Sequence, residues 1–242
     1  HRAALSGDRV YVADAGDISP DELAALIDEL LGDLPTSDTA LPQDLQVSTQ
    51  AGVTVVPFDT PQSVAIFGHE GIKRDDPDFF AAYVLNTILG GGGFEARLMN
   101  EVRKKRGLTD GVYSYRAPMD HAELYVGGVA SANDRIAEAV SVIRDEWAKM
   151  ATDGVTQAEL TQAKTYLTGA YPLRFDGNGP IARILVGMQM DGLTPEYITT
   201  RNERIEALTL DEVNRVAARL LKPEALRFVV VGQPEGLTDA PG

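Results

Sequence analysis

Residues 89–115 read LGGGGFEARLMNEVRKKRGLTDGVYSY. Four glycines, Gly90 to Gly93, open a short amphipathic helix in which Phe94, Leu98 and Val102 recur every four residues. The helix ends in the basic run Arg103, Lys104, Lys105 and Arg106 and stops at Gly107. A strand bearing Tyr113 and Tyr115 follows.

Backbone amides left unhindered before a helix can hold an anion. Here no Lys-Ser or Lys-Thr pair follows the glycines, the preceding segment reads as a helix, and Glu95 stands where a phosphate would arrive. The glycines therefore read as a tight link between two helices. The basic run sits in the last helical turn, where cations favour the carbonyl end, and Glu101 and Lys105 form an i, i+4 pair. Arg103 has a sharper reading as well, because a planar guanidinium can grip a peptide carbonyl or carboxylate. Tyr113 and Tyr115 are two apart and share one strand face. They either pack or offer apolar area with a hydroxyl to an extended peptide.

Upstream, Asp76 is the predicted cap of a helix with Pro77 in its first position and a buried stripe of Phe80, Val84 and Ile88. Val53 to Phe58 and Ser63 to His69 are predicted to pair around Asp59-Thr60-Pro61. The earlier segment Arg9 to Ala15 carries strand formers, and Ser19-Pro20-Asp21-Glu22 is a capping box for a helix over 20–31. Leu23, Leu26, Ile27 and Leu30 give that helix one apolar face, and Gly32 stops it. Residues 33–51 are polar and without period, which marks a linker.

Downstream, Val112 to Arg116 and Glu123 to Ala130 form a predicted hairpin. Asn133 is expected to cap a helix bearing Ile136, Val140, Ile143, Trp147 and Met150. Thr156 to Glu159 and Thr209 to Glu212 are capping boxes for two further helices, another helix lies near 180–190, and Leu226 to Val231 is the last strand. Arg9 to Val12 before Gly16 and Arg227 to Val231 before Gly232 form a weak repeat, each a strand ending in glycine. Either they are equivalent, so that the first 35 residues close a preceding unit, or they are two unrelated apolar strands.

A chain of 242 residues with 44% hydrophobic content can bury a sizeable core. Its formal charge of -14 opposes attraction to nucleic acid and anionic lipid. The absence of cysteine excludes disulfides, thiolate metal sites and a cysteine nucleophile, and leaves a periplasmic or a cytoplasmic location equally open. No run of about 18 apolar residues suggests a membrane span. A hydrolytic zinc site commonly takes two histidines on one helical face and a carboxylate. His1, His69 and His121 are too scattered to form that pattern, so no metal and no catalytic residue is assigned to this chain.

The order of parts resembles the second half of the insulinase or pitrilysin-like zinc metallopeptidases, in the bacterial branch similar to mitochondrial processing peptidase. The matching stretches are Leu89 to Phe94, Arg97 to Arg103, Arg106 to Thr109 and Gly111 to Ser114, with weaker matches at Gly154-Val155-Thr156 and Val229 to Gly232. Gly16-Asp17-Ile18 and Gly32-Asp33-Leu34-Pro35 resemble the end of the family's first half. The resemblance implies two similar α+β halves around a chamber for unfolded peptide, with zinc held in the first half by an H-x-x-E-H motif. It implies that Arg103 is the arginine of a substrate-positioning arginine-tyrosine pair. The tyrosine should stand seven residues later, where this chain has Asp110, which could pair with Arg103 instead; Tyr113 is the substitute candidate.

The expected fold is α+β, a two-layer antiparallel sheet covered by helices on one face. Residues 1–35 are read as the closing strand and helix of a preceding similar half-domain, 36–50 as linker, and 51–242 as the non-catalytic half. The expected role is to enclose extended peptide, with Arg103 and Tyr113 as substrate contacts and no cofactor in this chain. Zinc belongs to a partner half, in the same precursor or on a separate subunit, and a dimer is possible. Alone, the chain is expected to cleave nothing. The enclosing surface is assigned to the helical faces, and strand 63–69 is assigned a possible role in strand addition at a sheet edge. The competing reading is a scaffolding or assembly module of the same descent with no part in proteolysis, which Asp110 favours.

Overall fold

The computed structural model describes residues 5–47 and 50–241. Two compact units divide the chain, one built from residues 1–43 and 168–202 and the other from 44–167 and 203–242.

The larger unit is an α+β sandwich. Its strands are β1 (Gly52–Pro57), β2 (Gln62–Glu70), β3 (Val112–Met119), β4 (Ala122–Ala132), β5 (Arg227–Gly232) and the two-residue β6 (Ala240–Pro241), in the order β3-β4-β2-β5-β1-β6. Neighbours are antiparallel except β1 and β5, which run parallel from Gly52↔Arg227 to Pro57↔Gly232. The expected direct pairing of β1 with β2 is corrected here, since β5 lies between them. Nearness along the chain suggested a hairpin, but the apolar run Phe228 to Val231 fits a central position better than an edge. The connection after β1 crosses the end of β5, where the Phe58 amide donates to the Gly232 carbonyl at 3.0 Å.

Strand alternation divides the sheet into two faces. Val53, Ala65, Phe67, Tyr125, Val129, Phe228 and Val230 point inward and are buried. Over them lie α2 (Phe79–Asn86), α3 (Ile136–Asp153) and α7 (Leu210–Leu220), with α2 and α3 both against α7. The centre is aromatic: Phe67 stacks on Phe228 at 5.1 Å between centroids, and Trp147 meets Phe67 and Tyr125 edge-on at 5.7 and 5.1 Å. Each such buried ring contributes about 1.5–3 kcal/mol of burial energy. The α7 capping box of Thr209 and Glu212 forms as the spacing predicts.

Two caps are placed elsewhere. Asp76 Oδ1 accepts from the Asp78 amide at 2.8 Å and so turns the chain one step before α2, whose cap position is Asp78. Arg215 and Arg219 grip the Asp78 carboxylate, and Arg219 also holds Asp76 at 2.7 Å, fastening the start of α2 to α7. Asn133 caps nothing; it donates to the Thr60 carbonyl at 2.8 Å and accepts from the Ser63 hydroxyl at 2.6 Å, clamping the turn into β2. The cap position of α3 is Arg135.

The smaller unit contains α1 (Pro20–Leu31), α5 (Asn178–Met190) and a 3-10 turn at Pro172–Phe175. The division falls within α4 (Gln157–Ala170) and α6 (Glu196–Ala207). The α1 capping box is fully made, with Ser19 and Glu22 exchanging both bonds. Residues 10–15 join no sheet among the described residues, contrary to the expected strand. Without a neighbouring strand their backbone groups have no ladder to enter, and the Val12 carbonyl accepts from Gln189 at 2.9 Å instead. Residues 36–47 carry no helix or strand; residues 48 and 49 of the predicted linker, like His1, lie outside the described residues.

Candidate functional site

The glycine run is shaped by packing. The helix of α2 continues as a π-helical segment, Thr87–Gly91, whose Gly90 lies against β3. A Cβ on Gly90 would stand 2.3 Å from Ser114 Oγ and 2.7 Å from the Ser114 amide nitrogen. Ser114 in turn donates to buried Asn86 at 2.8 Å, so the glycine lets helix and strand close over one polar contact. This is the tight link read from the sequence, and Gly93 completes it at φ +62.

Beyond the link the helix is not one regular piece. Gly93–Glu95 is a 3-10 turn, Ala96 is extended, and Met99–Lys104 is π-helical, with the Lys105 amide donating to the Asn100 carbonyl. The four-residue period therefore breaks between Phe94 and Leu98. Leu98 and Val102 are buried as predicted, whereas Phe94 is 59% exposed, which corrects its place in the apolar stripe. Arg97 anchors this segment: its Nε and Nη2 donate to Glu159 at 2.6 and 2.8 Å, and Nη2 also reaches the Gly154 carbonyl at 3.0 Å. Burial would push the Glu159 carboxyl up, but Arg97 and the Thr156 cap outweigh it and hold it at about 2.

Arg103 lies in the π-helical turn with its guanidinium carbon 5.0 Å from the Phe94 ring centroid. Among the described residues it makes no ion pair, so the alternative pairing with Asp110 is not formed. Asp110 is exposed, while the neighbouring Thr109 is buried with its hydroxyl within hydrogen-bond reach of the Ala130 carbonyl and accepting from the Gly111 amide. Tyr113 stacks on Tyr115 at 6.2 Å and 22° between ring planes. Its hydroxyl oxygen would stand 2.7 Å from a Cβ on Gly128, its partner across β3 and β4. No hydrogen bond or ring contact joins Tyr113 to Arg103 among the described residues.

Sequence reasoning expected helices on one face of the sheet but did not single out the apolar character of the other face. Tyr113, Gly128, Ile66 and Val229 lie in register across four strands, and Val64, Val231 and Val56 form a second row. Ile66 is 46% exposed and Val229 39%. A signal was present: β2 and β5 are apolar at successive positions, which the one-sided alternation of a half-covered strand does not require. Strand addition at 63–69 is corrected by the same topology, since β2 pairs on both sides. The edges are β3 and β6.

Each of the two described histidines has a protein partner. His69 is buried, and His121 in the β3–β4 turn lies 3.1 Å from the Asp44 carboxylate, which also holds Lys73 at 2.7 Å. Among the described residues no group of three or more His, Asp or Glu side chains could hold a metal ion, and no helix is long and apolar enough to cross a membrane.

Residues 1–167 match the family model described as the peptidase M16 inactive domain. An uncharacterized zinc protease of Mycobacterium tuberculosis is 30% identical over 230 residues, covering 91% of this chain and 51% of that protein. A probable mitochondrial-processing peptidase subunit beta of Schizosaccharomyces pombe is 26% identical, covering 96% and 53%. The crystal structure of a peptidase M16 inactive domain from Pseudomonas fluorescens superposes with a TM-score of 0.79 at 30% identity, over 93% of this chain and 53% of that one. The chain spans about half the length of the curated relatives it matches.

Proposed function

The chain belongs to the peptidase M16 family as an inactive domain, and on that premise we propose that it is the substrate-enclosing half of a zinc peptidase. It binds extended peptide and completes a chamber with a zinc-bearing half, which performs the hydrolysis. The observation that carries this reading is the open sheet face of the larger unit, where apolar and aromatic side chains stand in register and partly exposed among the described residues. A soluble domain seldom leaves such a patch without use.

The sheet, rather than the helices, is then the wall that meets the guest. The helices α2, α3 and α7 spend most of their apolar side chains on the core. Tyr113 stands at the margin of the wall and offers a hydroxyl with its ring. Arg103 supplies the charged contact to a peptide carbonyl or carboxylate. Residues 1–35 act as the closing strand and helix of a preceding half-domain, 36–50 as linker and 51–242 as the enclosing half. In support, α1 has no buried residue although Leu26 and Leu30 share its apolar face, and residues 10–15 join no sheet among the described residues.

The test is reconstitution. Adding this chain to its zinc-bearing half should raise turnover of an unstructured peptide severalfold, while this chain alone hydrolyses nothing. Turnover that is the same with and without it would leave only a scaffolding role.

A further inference from the structure

Four cations occupy positions 103–106, and among the described residues three are spent on carboxylates. Lys104 pairs with Glu95 at 3.2 Å, while Lys105 and Arg106 share Glu101 at 2.5 and 2.8 Å. Arg103 pairs with none of them, and its contact is the Phe94 ring. The distinction is chemical. An ion pair occupies the in-plane N–H groups of a guanidinium, whereas an aromatic ring takes only its flat face and leaves every N–H free to donate.

We propose that Phe94 is a positioning residue for Arg103, holding the guanidinium face-on so that its N–H edge stays available to a peptide carbonyl or carboxylate. The local backbone is built for this. Gly93 at φ +62 sets off the turn that carries Phe94, extended Ala96 keeps that ring out of the core, and the π-helical turn sets the place of Arg103. Glu95 and Glu101, the nearest acids before it along the chain, are already engaged by the other three cations, and Asp110 makes no ion pair with it among the described residues. Phe94 is 59% exposed, so its ring lies outside the core on the same side of the turn as the guanidinium it meets. The inference rests on the reading of Arg103 as a substrate contact.

Two measurements keep the inference and that reading apart. In the chain by itself, NMR should show the Arg103 δ-methylene protons shifted upfield by the ring, a shift lost in Phe94→Leu and kept in Phe94→Tyr. An unshifted resonance in the parent chain overturns the positioning role whatever the substrate does. In the reconstituted enzyme with a quenched-fluorescent unstructured peptide, Phe94→Leu should raise KM about two- to fivefold at constant kcat, and Phe94→Tyr should restore it. Phe94→Leu should add nothing in an Arg103→Ala background. A KM raised by Arg103→Ala but untouched by Phe94→Leu sinks the positioning role alone, as does an undiminished Phe94→Leu effect in the double variant. Unchanged kinetics in Arg103→Ala sink the substrate contact and the proposal with it, while the NMR shift still reports whether ring and guanidinium meet.

Discussion

Trp147 donates its indole N–H to His69 Nε2 at 2.9 Å, and both side chains are fully buried. An indole can only donate, so Nε2 must accept and the ring proton sits on Nδ1, facing the Glu70 carbonyl. Burial lowers the His69 pKa, with Lys222 acting in the same direction and Glu70 and Glu224 opposing it. A histidine whose folded pKa is depressed contributes stability above its unfolded value and loses it as the pH falls below that value. The thermal midpoint should therefore decline from about pH 6.5 downward. In His69→Gln, whose amide can still accept from Trp147, that part of the decline should vanish; parallel curves for the two proteins would remove His69 as its source.

Glu159 both caps α4 and receives Arg97, so two substitutions can separate its roles. Glu159→Gln keeps an acceptor for Thr156 and loses the charge, whereas Glu159→Ala loses both. We expect a cost of about 1–3 kcal/mol for the alanine variant and less for glutamine, read from urea midpoints. Because the folded pKa is about 2 against 4.5 for a free glutamate, the ionic part is present above pH 4.5 and lost as the pH falls toward 2. Wild type and Glu159→Gln should converge in that window.

The elements whose local signals agree with their long-range partners were legible in the sequence. All three capping boxes, Ser19 with Glu22, Thr156 with Glu159 and Thr209 with Glu212, form as the spacing requires. The α+β layering and the β3–β4 hairpin follow from period and turn. The misread parts are those where a distant partner decides. Asn133 looks like a cap until Thr60 and Ser63 claim its amide. β1 looks like a hairpin partner of β2 until β5, about 170 residues away along the chain, enters between them. In the site, Phe94 keeps a helical period with Leu98 in sequence, but extended Ala96 interrupts the helix between them. The weak apolar period of α6 gave no helical signal, although Ile205 within it is buried.

Gly90→Ala should be among the most damaging small changes in the chain. The added carbon meets the Ser114 amide nitrogen at 2.7 Å, and backbone in the middle of a paired strand cannot withdraw as a side chain tip would. Overpacking of this kind costs about 1–3 kcal/mol. Gly111→Ala is the control, since nothing lies within 4 Å of a Cβ there. Equal thermal midpoints for the two variants would show that the link does not need its glycine.

Asp110 offers the last test because its side chain is exposed while Thr109 fixes the backbone on either side of it. Asp110→Tyr should therefore change stability by no more than about 0.5 kcal/mol. In the reconstituted enzyme it replaces a negative charge with a neutral hydroxyl, the group that the family resemblance implies at this position. One added hydrogen bond to the peptide should lower KM about two- to tenfold. The same change in an Arg103→Ala background should have a smaller effect if both groups hold one stretch of substrate. A KM indifferent to Asp110→Tyr but sensitive to Tyr113→Phe would instead give the hydroxyl's task to Tyr113, at the margin of the open sheet face.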